Sequence, residues 1–263
     1  MRYKQSLGPL DGAAETGRIV RFVKKVLRDS GATGVVLGVS GGVDSAVVGE
    51  LCVRSLGKDR VMTVMMPSAH TPAGDVTDAN YLMKRWGTKK VVVQISPLAI
   101  AVIGRVGERG SNLAEANLQA RVRMAILYFL ANSHNLLVAG TGDRSELGLG
   151  YFTKFGDGGV DFLPIGHLYK TQVRELGKFL GIPASVVTKP ASPGLWTGHK
   201  ATDELPADYP EIDTFLHATM DEESGVAVAA KKAGVSLTVA KELLAMIKKG
   251  AHKRNLPPSL RPA

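Results

Sequence analysis

The apolar run Val35-Val36-Leu37-Gly38-Val39 ends in Ser40-Gly41-Gly42-Val43-Asp44-Ser45 and passes directly into Ala46-Val47-Val48-Gly49-Glu50-Leu51. A buried strand that turns through paired glycines into a helix brings its backbone close to whatever lies beyond the strand end. The helix start then offers unpaired N–H groups and a positive dipole end to an anion. Two hydroxyls add donors, and an acidic residue inside a phosphate cradle makes sense when a divalent cation comes with the phosphate. No Gly-Lys-Ser/Thr follows, so transfer of a terminal phosphate is not the natural chemistry. An ordinary turn with Ser and Asp as helix N-caps shares part of this pattern. Six fitting positions in a row, between strand and helix, favour a loop for pyrophosphate and metal.

The rest of the chain repeats the strand–helix alternation. Ile19, Val20, Phe22, Val23, Val26 and Leu27 have helical spacing and stop near Ser30-Gly31. Apolar β-rich runs follow at Gly34–Val39, Val61–Met66, Lys90–Ile95 and Leu136–Ala139, separated by helical stretches near Asp44–Leu56, Asp75–Trp86 and Leu113–Ala131. Continuous rather than alternating apolar strands predict a doubly wound parallel sheet covered by helices on both faces, a Rossmann-like α/β fold. Ligands in such sheets bind beyond the strands' carboxyl ends. Gly150–Pro164 and Thr188–Pro210 read as loops with freedom to move, and helical periodicity returns from Tyr209 to Arg254. No internal repeat or linker divides the 263 residues, which read as one domain, 1–263.

Composition narrows the setting. No apolar run approaches the roughly 20 residues that span a bilayer, and no signal core follows Met1-Arg2-Tyr3-Lys4-Gln5. The single cysteine, Cys52, falls in the helix after the glycine loop and reads as a small core residue. A cytoplasmic, membrane-free protein is expected. The net charge of +9 calls for anionic partners. Nucleic acid is one such partner and small polyanions such as dinucleotides and ATP are another; aromatic residues, at 6%, do not interleave with the basic ones as a stacking platform would require, so charge alone does not establish nucleic-acid binding.

Three clusters add detail. Asn117 and Arg121 share a helix face at i, i+4, where an amide and a guanidinium grip one ligand; from spacing alone a solvated stripe is the simpler reading. Gly140-Thr141-Gly142-Asp143-Arg144-Ser145-Glu146 begins where the last strand ends, and Glu146 is placed to join Asp44 on a metal. The glycine-rich stretch behind it carries Lys154, Asp157 and Asp161 and reads as a ligand-closing loop. Lys170 stands at a helix start, where its charge opposes the dipole; it faces phosphates or solvent.

The Ser40–Ser45 loop resembles the signature of ATP pyrophosphatases. The ordered set is more specific: that loop, Asn117…Arg121-Val122-Arg123-Met124, Gly140-Thr141…Glu146…Gly150-Tyr151-Phe152-Thr153-Lys154-Phe155-Gly156-Asp157-Gly158, Pro164…Leu168-Tyr169-Lys170, Gly194-Leu195-Trp196 and His252-Lys253-Arg254…Pro257-Pro258. Together these segments, which cover nearly the whole chain, resemble the ammonia-dependent NAD synthetases. The resemblance assigns Gly38, Val39, Ser40, Gly41, Gly42, Val43, Asp44, Ser45 and Thr141 to ATP, and Lys170 and Ser192 to its phosphates. Asp44 and Glu146 become Mg²⁺ ligands. Arg121, Lys154, Asp161, His252 and Lys253 hold deamido-NAD, with Asn117 beside Arg121. A homodimer is implied. Where the family usually reads Gly-Gln-Thr-Asp-Glu, this chain has Gly198-His199-Lys200-Ala201-Thr202-Asp203-Glu204, and no role is assigned there.

The implied reaction is formation of a C–N bond. The nicotinate carboxylate attacks the α-phosphorus of ATP, pyrophosphate leaves, and ammonia displaces AMP from the acyl-adenylate. Lys170 serves the phosphates, and Asp157 is the expected group for binding ammonium and removing a proton. A glutaminase domain has no room in this length, so free ammonia is the expected donor, delivered if needed by a separate glutaminase. Two alternatives differ in kind: an ATP pyrophosphatase acting on tRNA, whose thiolating forms want more cysteines, and a non-catalytic adenylate sensor, against which both metal carboxylates and Lys170 argue.

Overall fold

A computed structural model of the chain describes residues 7–190 and 204–260. The described elements are α1 (Gly12–Ser30), β1 (Gly34–Gly38), α2 (Val43–Leu56), β2 (Val61–Met65), α3 (Ala73–Trp86), β3 (Lys89–Val92), α4 (Ser96–Val106), α5 (Asn112–His134), β4 (Leu136–Val138), α6 (Arg144–Leu149), α7 (Lys170–Phe179), α8 (Ala184–Val187), α9 (Tyr209–Leu216), α10 (Val226–Ala233), α11 (Leu237–Lys249) and α12 (Ala251–Arg254). The four strands are all parallel, in the order β3-β2-β1-β4.

That order fixes where a ligand goes. The chain winds from β1 outward through β2 to β3, then returns to the other side of β1 with β4. The connections on the two sides of β1 therefore leave the sheet in opposite directions, and a crevice opens beyond the carboxyl ends of β1 and β4. Both glycine-containing loops singled out in the sequence start there.

Burial explains the strand pattern. Val35, Val36 and Leu37 of β1 are completely buried because helices cover both faces. On one face α1, α2, α3 and α7 pack around Val23, Val47, Leu51, Leu82 and Leu176. On the other, Val36, Val64 and Val138 meet Ile95 and Ala131 under α5. A third apolar cluster, built on Ile212, Phe215, Ala229 and Leu243, unites the C-terminal helices with α6. Each such buried aliphatic side chain contributes about 1.5–3 kcal/mol. Cys52 is a core residue, and burial pushes its thiol up to about 12.

Helix ends follow their sequence signals. Asp11 caps α1 by accepting from the N–H groups of Ala13 and Ala14, and Gly31 closes it at φ 71°. The helix α4 carried no such stripe, since Leu98-Ala99-Ile100-Ala101-Val102-Ile103 is apolar all round. Gly150–Pro164 holds no regular element beyond a single parallel bridge from Ala139 to Phe162, but Asp161 N–H and Gly140 N–H tie its far end back to the edge of β4.

Candidate active site

The Ser40–Ser45 loop is shaped by its own hydroxyls. Ser45 Oγ donates to Gly42 O at 3.0 Å and accepts Ser40 N–H at 3.2 Å, while Ser40 Oγ accepts Gly42 N–H at 3.2 Å. Gly41 has φ 83°, and a Cβ there would fall on the Asp75 carbonyl, so glycine is required on both counts. No side chain caps the start of α2. Neither Ser40 nor Asp44 is an N-cap there, and the first N–H groups of the helix remain for an anion.

Behind the loop, Lys170 is 1% exposed. Its Nζ donates to Asp44 Oδ2 at 2.7 Å and Glu146 Oε1 at 2.8 Å, and Asp143 Oδ2 lies 3.0 Å away. The Tyr209 ring covers it from 5.4 Å. The lysine is therefore not solvated, and three carboxylates offset the unfavourable dipole at the head of α7. Burial alone would depress its ammonium, yet Asp143, Asp44 and Glu146 hold it well above the ordinary lysine value. Burial first, and like charges second, push Asp143 and Glu146 upward despite the lysine.

Each member of this cluster is held by local chemistry. Asp143 caps α6 by accepting Glu146 N–H at 2.8 Å, and Glu146 Oε2 accepts Asp143 N–H at 3.2 Å, a reciprocal capping box. Asp213 of α9, fully buried, accepts from Ser145 Oγ at 2.5 Å and from Thr171 N–H at 2.8 Å. Ser145 Oγ in turn accepts Lys170 N–H at 2.9 Å. These bonds clamp the starts of α6 and α7 together and aim Lys170 at Asp44.

A cavity of about 520 Å³ occupies the crevice. Of the residues marked in the sequence, Gly38, Val39, Ser40, Gly42, Val43, Asp44, Ser45, Asn117, Thr141, Glu146, Asp157, Lys170 and Lys253 line it. Gly41, Arg121, Lys154, Asp161 and His252 do not. Arg121 Nη2 reaches Lys154 O at 3.3 Å, and Lys154 Nζ reaches His252 O at 2.8 Å. Asp161 accepts from Tyr128 Oη at 3.0 Å and Val138 N–H at 2.7 Å, so both of its oxygens serve the sheet edge. Asn117 Oδ1 accepts from Thr153 Oγ1 at 2.7 Å and Asp157 Oδ1 accepts Thr153 N–H at 2.8 Å, which sets Thr153 between the two. The protein crowding the Asp157 carboxyl pushes its pKa upward, although the residue keeps an exposed edge. Ser192, Gly194-Leu195-Trp196 and most of Gly198–Glu204 lie outside the described residues.

Sequence reasoning missed Asp143 and Lys189. The first had a readable signal, since Asp143-Arg144-Ser145-Glu146 is a capping-box spacing. Lys189 had none: only the fold brings its Nζ within 2.7 Å of Asp75 Oδ1, 2.5 Å of Asp78 Oδ2 and 3.2 Å of the Gly41 carbonyl.

The residues present fit a divalent cation. Asp44 Oδ1 is buried without a hydrogen-bond partner, Asp143 Oδ2 faces only the Lys170 ammonium, and carboxylates outnumber the one ammonium among them. Among the described residues no group of three or more His, Cys, Asp or Glu is placed to hold a metal ion by itself, so these carboxylates would hold a cation only together with oxygens of the ligand. No described helix is long and apolar enough to cross a membrane.

A parallel sheet with an uncapped glycine loop and an acidic–lysine cluster at its switch point defines the nucleotide-binding α/β class of the ATP pyrophosphatase type. Residues 15–257 match the model of the family described as NAD synthase, and the chain belongs to that family. It is 46% identical over 255 residues to the NH(3)-dependent NAD(+) synthetase of Hyperthermus butylicus, covering 97% of this chain and 92% of that protein. An NMN synthetase from Francisella tularensis has a solved structure that matches with a TM-score of 0.86 and 32% identity, over 96% of this chain and 99% of that one. The NH3-dependent NAD synthetase of Campylobacter jejuni, solved with nitrate, matches with a TM-score of 0.82 and 29% identity over 96% and 100% of the two chains.

Proposed function

We propose that this chain is an ammonia-dependent NAD synthetase, which amidates deamido-NAD at the expense of ATP as one synthetase domain. The observation that carries the reading is the Lys170 ammonium, held within 3.0 Å of three carboxylates beside the uncapped start of α2. In the first step a nicotinate carboxylate oxygen forms a bond to the α-phosphorus and the bond to the bridging oxygen breaks, so pyrophosphate leaves with the electron pair. This step needs positioning and charge neutralisation more than covalent help from the protein. The N–H groups of Val43, Asp44 and Ser45 bind phosphate oxygens, Thr141 belongs to the same ATP site, and Lys170, held in place by its three carboxylates, offers its charge to the departing pyrophosphate. Ser192 belongs to the same phosphate set. Asp44 and Glu146 would hold Mg²⁺, which supplies further neutralisation of the polyphosphate when bound.

In the second step nitrogen adds to the activated carbonyl, the C–O bond to AMP breaks, and the amide remains. At neutral pH ammonia is mostly ammonium, so one proton must first be taken off, and Asp157 is the group assigned to take it; a second proton leaves the nitrogen of the tetrahedral adduct for solvent as AMP departs. Arg121, Lys154, His252 and Lys253 hold deamido-NAD, with Asn117 beside them. Asp161 supports that region through the edge of β4.

A homodimer belongs to the reading. Ile100, Val102 and Val106 of α4 and Leu113 and Phe129 of α5 are exposed, and adjoining apolar faces of that kind suit a second copy of the chain. The enzyme works in the cytoplasm, with free ammonia or a separate glutaminase as its nitrogen source.

The likeness to an NMN synthetase makes the acceptor the point to test. Protein, ATP and Mg²⁺ are mixed with deamido-NAD or nicotinate mononucleotide, each with ammonium or glutamine, and the nucleotides are resolved. NAD and AMP in equal amounts from deamido-NAD and ammonium alone are expected. Amide formed only from the mononucleotide moves the substrate assignment, and ADP as product overturns the chemistry.

A further inference from the structure

Lys189 follows α8 and lines the nucleotide cavity together with Asp75 of α3. Asp75 and Asp78, three residues apart, share one face of that helix. The Lys189 ammonium donates to Asp75 Oδ1 at 2.7 Å, to Asp78 Oδ2 at 2.5 Å and to the Gly41 carbonyl at 3.2 Å. An ammonium has three donors, and all three are engaged. Partial burial disfavours its charge, but the two carboxylates hold it above the ordinary lysine value, so it stays protonated at neutral pH. Its backbone is held from the other side, where the Lys189 carbonyl accepts from Arg174 Nη2 of α7 at 3.4 Å.

The contact with Gly41 fixes a peptide unit that nothing else in the local chain would fix. The unit between Gly41 and Gly42 is gripped at both ends, its carbonyl by Lys189 and its N–H by Ser40 Oγ at 3.2 Å. Neither flanking residue has a Cβ to resist rotation. Gly42 lines the cavity and Gly41 does not, so this carbonyl is turned to Lys189 and not to the ligand. A carbonyl oxygen facing a phosphate would repel it, whereas the free N–H groups at the start of α2 attract it.

Resting on the function proposed above, we propose that Lys189 is the positioning residue of the ATP loop. It acts through Gly41: keeping that carbonyl out of the cavity preserves the uncapped start of α2 in binding geometry before ATP arrives. Asp75 and Asp78 position the lysine in turn. Two carboxylates beside a polyphosphate site oppose ATP by charge, yet by anchoring Lys189 they serve its binding.

The test rests on a sign. If charge alone matters, Asp75→Asn combined with Asp78→Asn removes repulsion and tightens ATP binding. If the carboxylates position Lys189, the same double variant binds ATP more weakly. Titration calorimetry with ATP and Mg²⁺ is expected to show Kd raised about tenfold in that variant and in Lys189→Met, the scale of one hydrogen bond to a charged group. Lys189→Arg, which keeps charge and donors, should recover most of the loss, and the KM for deamido-NAD should stay within about twofold throughout. Tighter or unchanged ATP binding in the double variant overturns the proposal. So does a parallel weakening of both substrates with a lowered melting temperature, which assigns Lys189 to the fold alone. If the double variant does not fold, Lys189→Met against Lys189→Arg decides by the same readout. Unaltered protein that binds ATP but forms no NAD fails the function proposed above, and the calorimetric comparison still judges Lys189.

Discussion

The two sides of the crevice are built in opposite ways. On the phosphate side Lys170, Asp143, Ser145 and Asp213 are buried, and every one is held by a helix start or by another charge. On the loop-and-tail side Arg121, Lys154 and Lys253 are long side chains with an exposed or half-buried body, each resting on backbone carbonyls. A carbonyl contact from an accessible lysine is cheap to exchange, whereas a buried charge network cannot lose one member without exposing the rest to desolvation. Fixed groups suit a step that needs preorganised charge. Exchangeable ones suit substrates that arrive in sequence.

Replacing the central cation breaks that contrast most severely. Lys170→Met strands three carboxylates in the interior, and we expect a stability loss of about 3–5 kcal/mol together with a fall in adenylation of at least about 10²-fold. Urea unfolding and ATP–pyrophosphate exchange measure the two. A stable, active variant would mean that the cluster is neither structural nor catalytic. Gly41→Ala comes next. It asks a side chain to adopt φ 83° against the Asp75 carbonyl, at a cost of about 1–3 kcal/mol, and it should raise the KM for ATP more than that for deamido-NAD.

A smaller effect follows from charge alone. Burial raises Glu146 from 4.5 to about 8, with Asp143 adding to the rise. The folded state therefore binds this proton more tightly than the unfolded chain does. Its contribution to stability is complete below about pH 4.5 and is lost as pH climbs toward 8. Metal-free protein should lose stability across that window, and Glu146→Gln should flatten the slope. An equal slope in the variant would assign the pH response to other groups.

The same contrast decides how much was legible beforehand. The two central strands, β1 and β2, and the helices next to them were readable because near-complete burial leaves continuous apolar runs, and because Gly31 and the Gly41-Gly42 pair punctuate the chain. Asp44, Glu146 and Lys170 were readable as a set through the ordered motifs, but not their direct contact, which depends on β1 and β4 being neighbours. Lys189 was invisible because its partners, Asp75 and Asp78, lie more than a hundred residues away in sequence. The helix α4 escaped because a helix apolar on every side carries no periodic stripe. The contacts of Asp161 were not legible either: the resemblance assigns it to the dinucleotide, and only the fold shows its oxygens accepting from Tyr128 and the backbone of β4.

Lys154→Ala should give the smallest change in stability and still report on function. The lysine is partly exposed, its ammonium donates to the His252 carbonyl, and its charge lies 5.2 Å from the Phe155 ring. Those surface contacts place the stability loss within about 0.5–1 kcal/mol. If the loop-and-tail side serves the dinucleotide, the KM for deamido-NAD rises about tenfold while that for ATP stays put, because a phosphate contact worth roughly 1.4 kcal/mol is lost from only one substrate. A parallel rise in both constants would show that the loop and the phosphate side act as one unit. An unchanged pair of constants with normal turnover would move the dinucleotide away from Lys154 and leave the lysine a tether between the loop and α12.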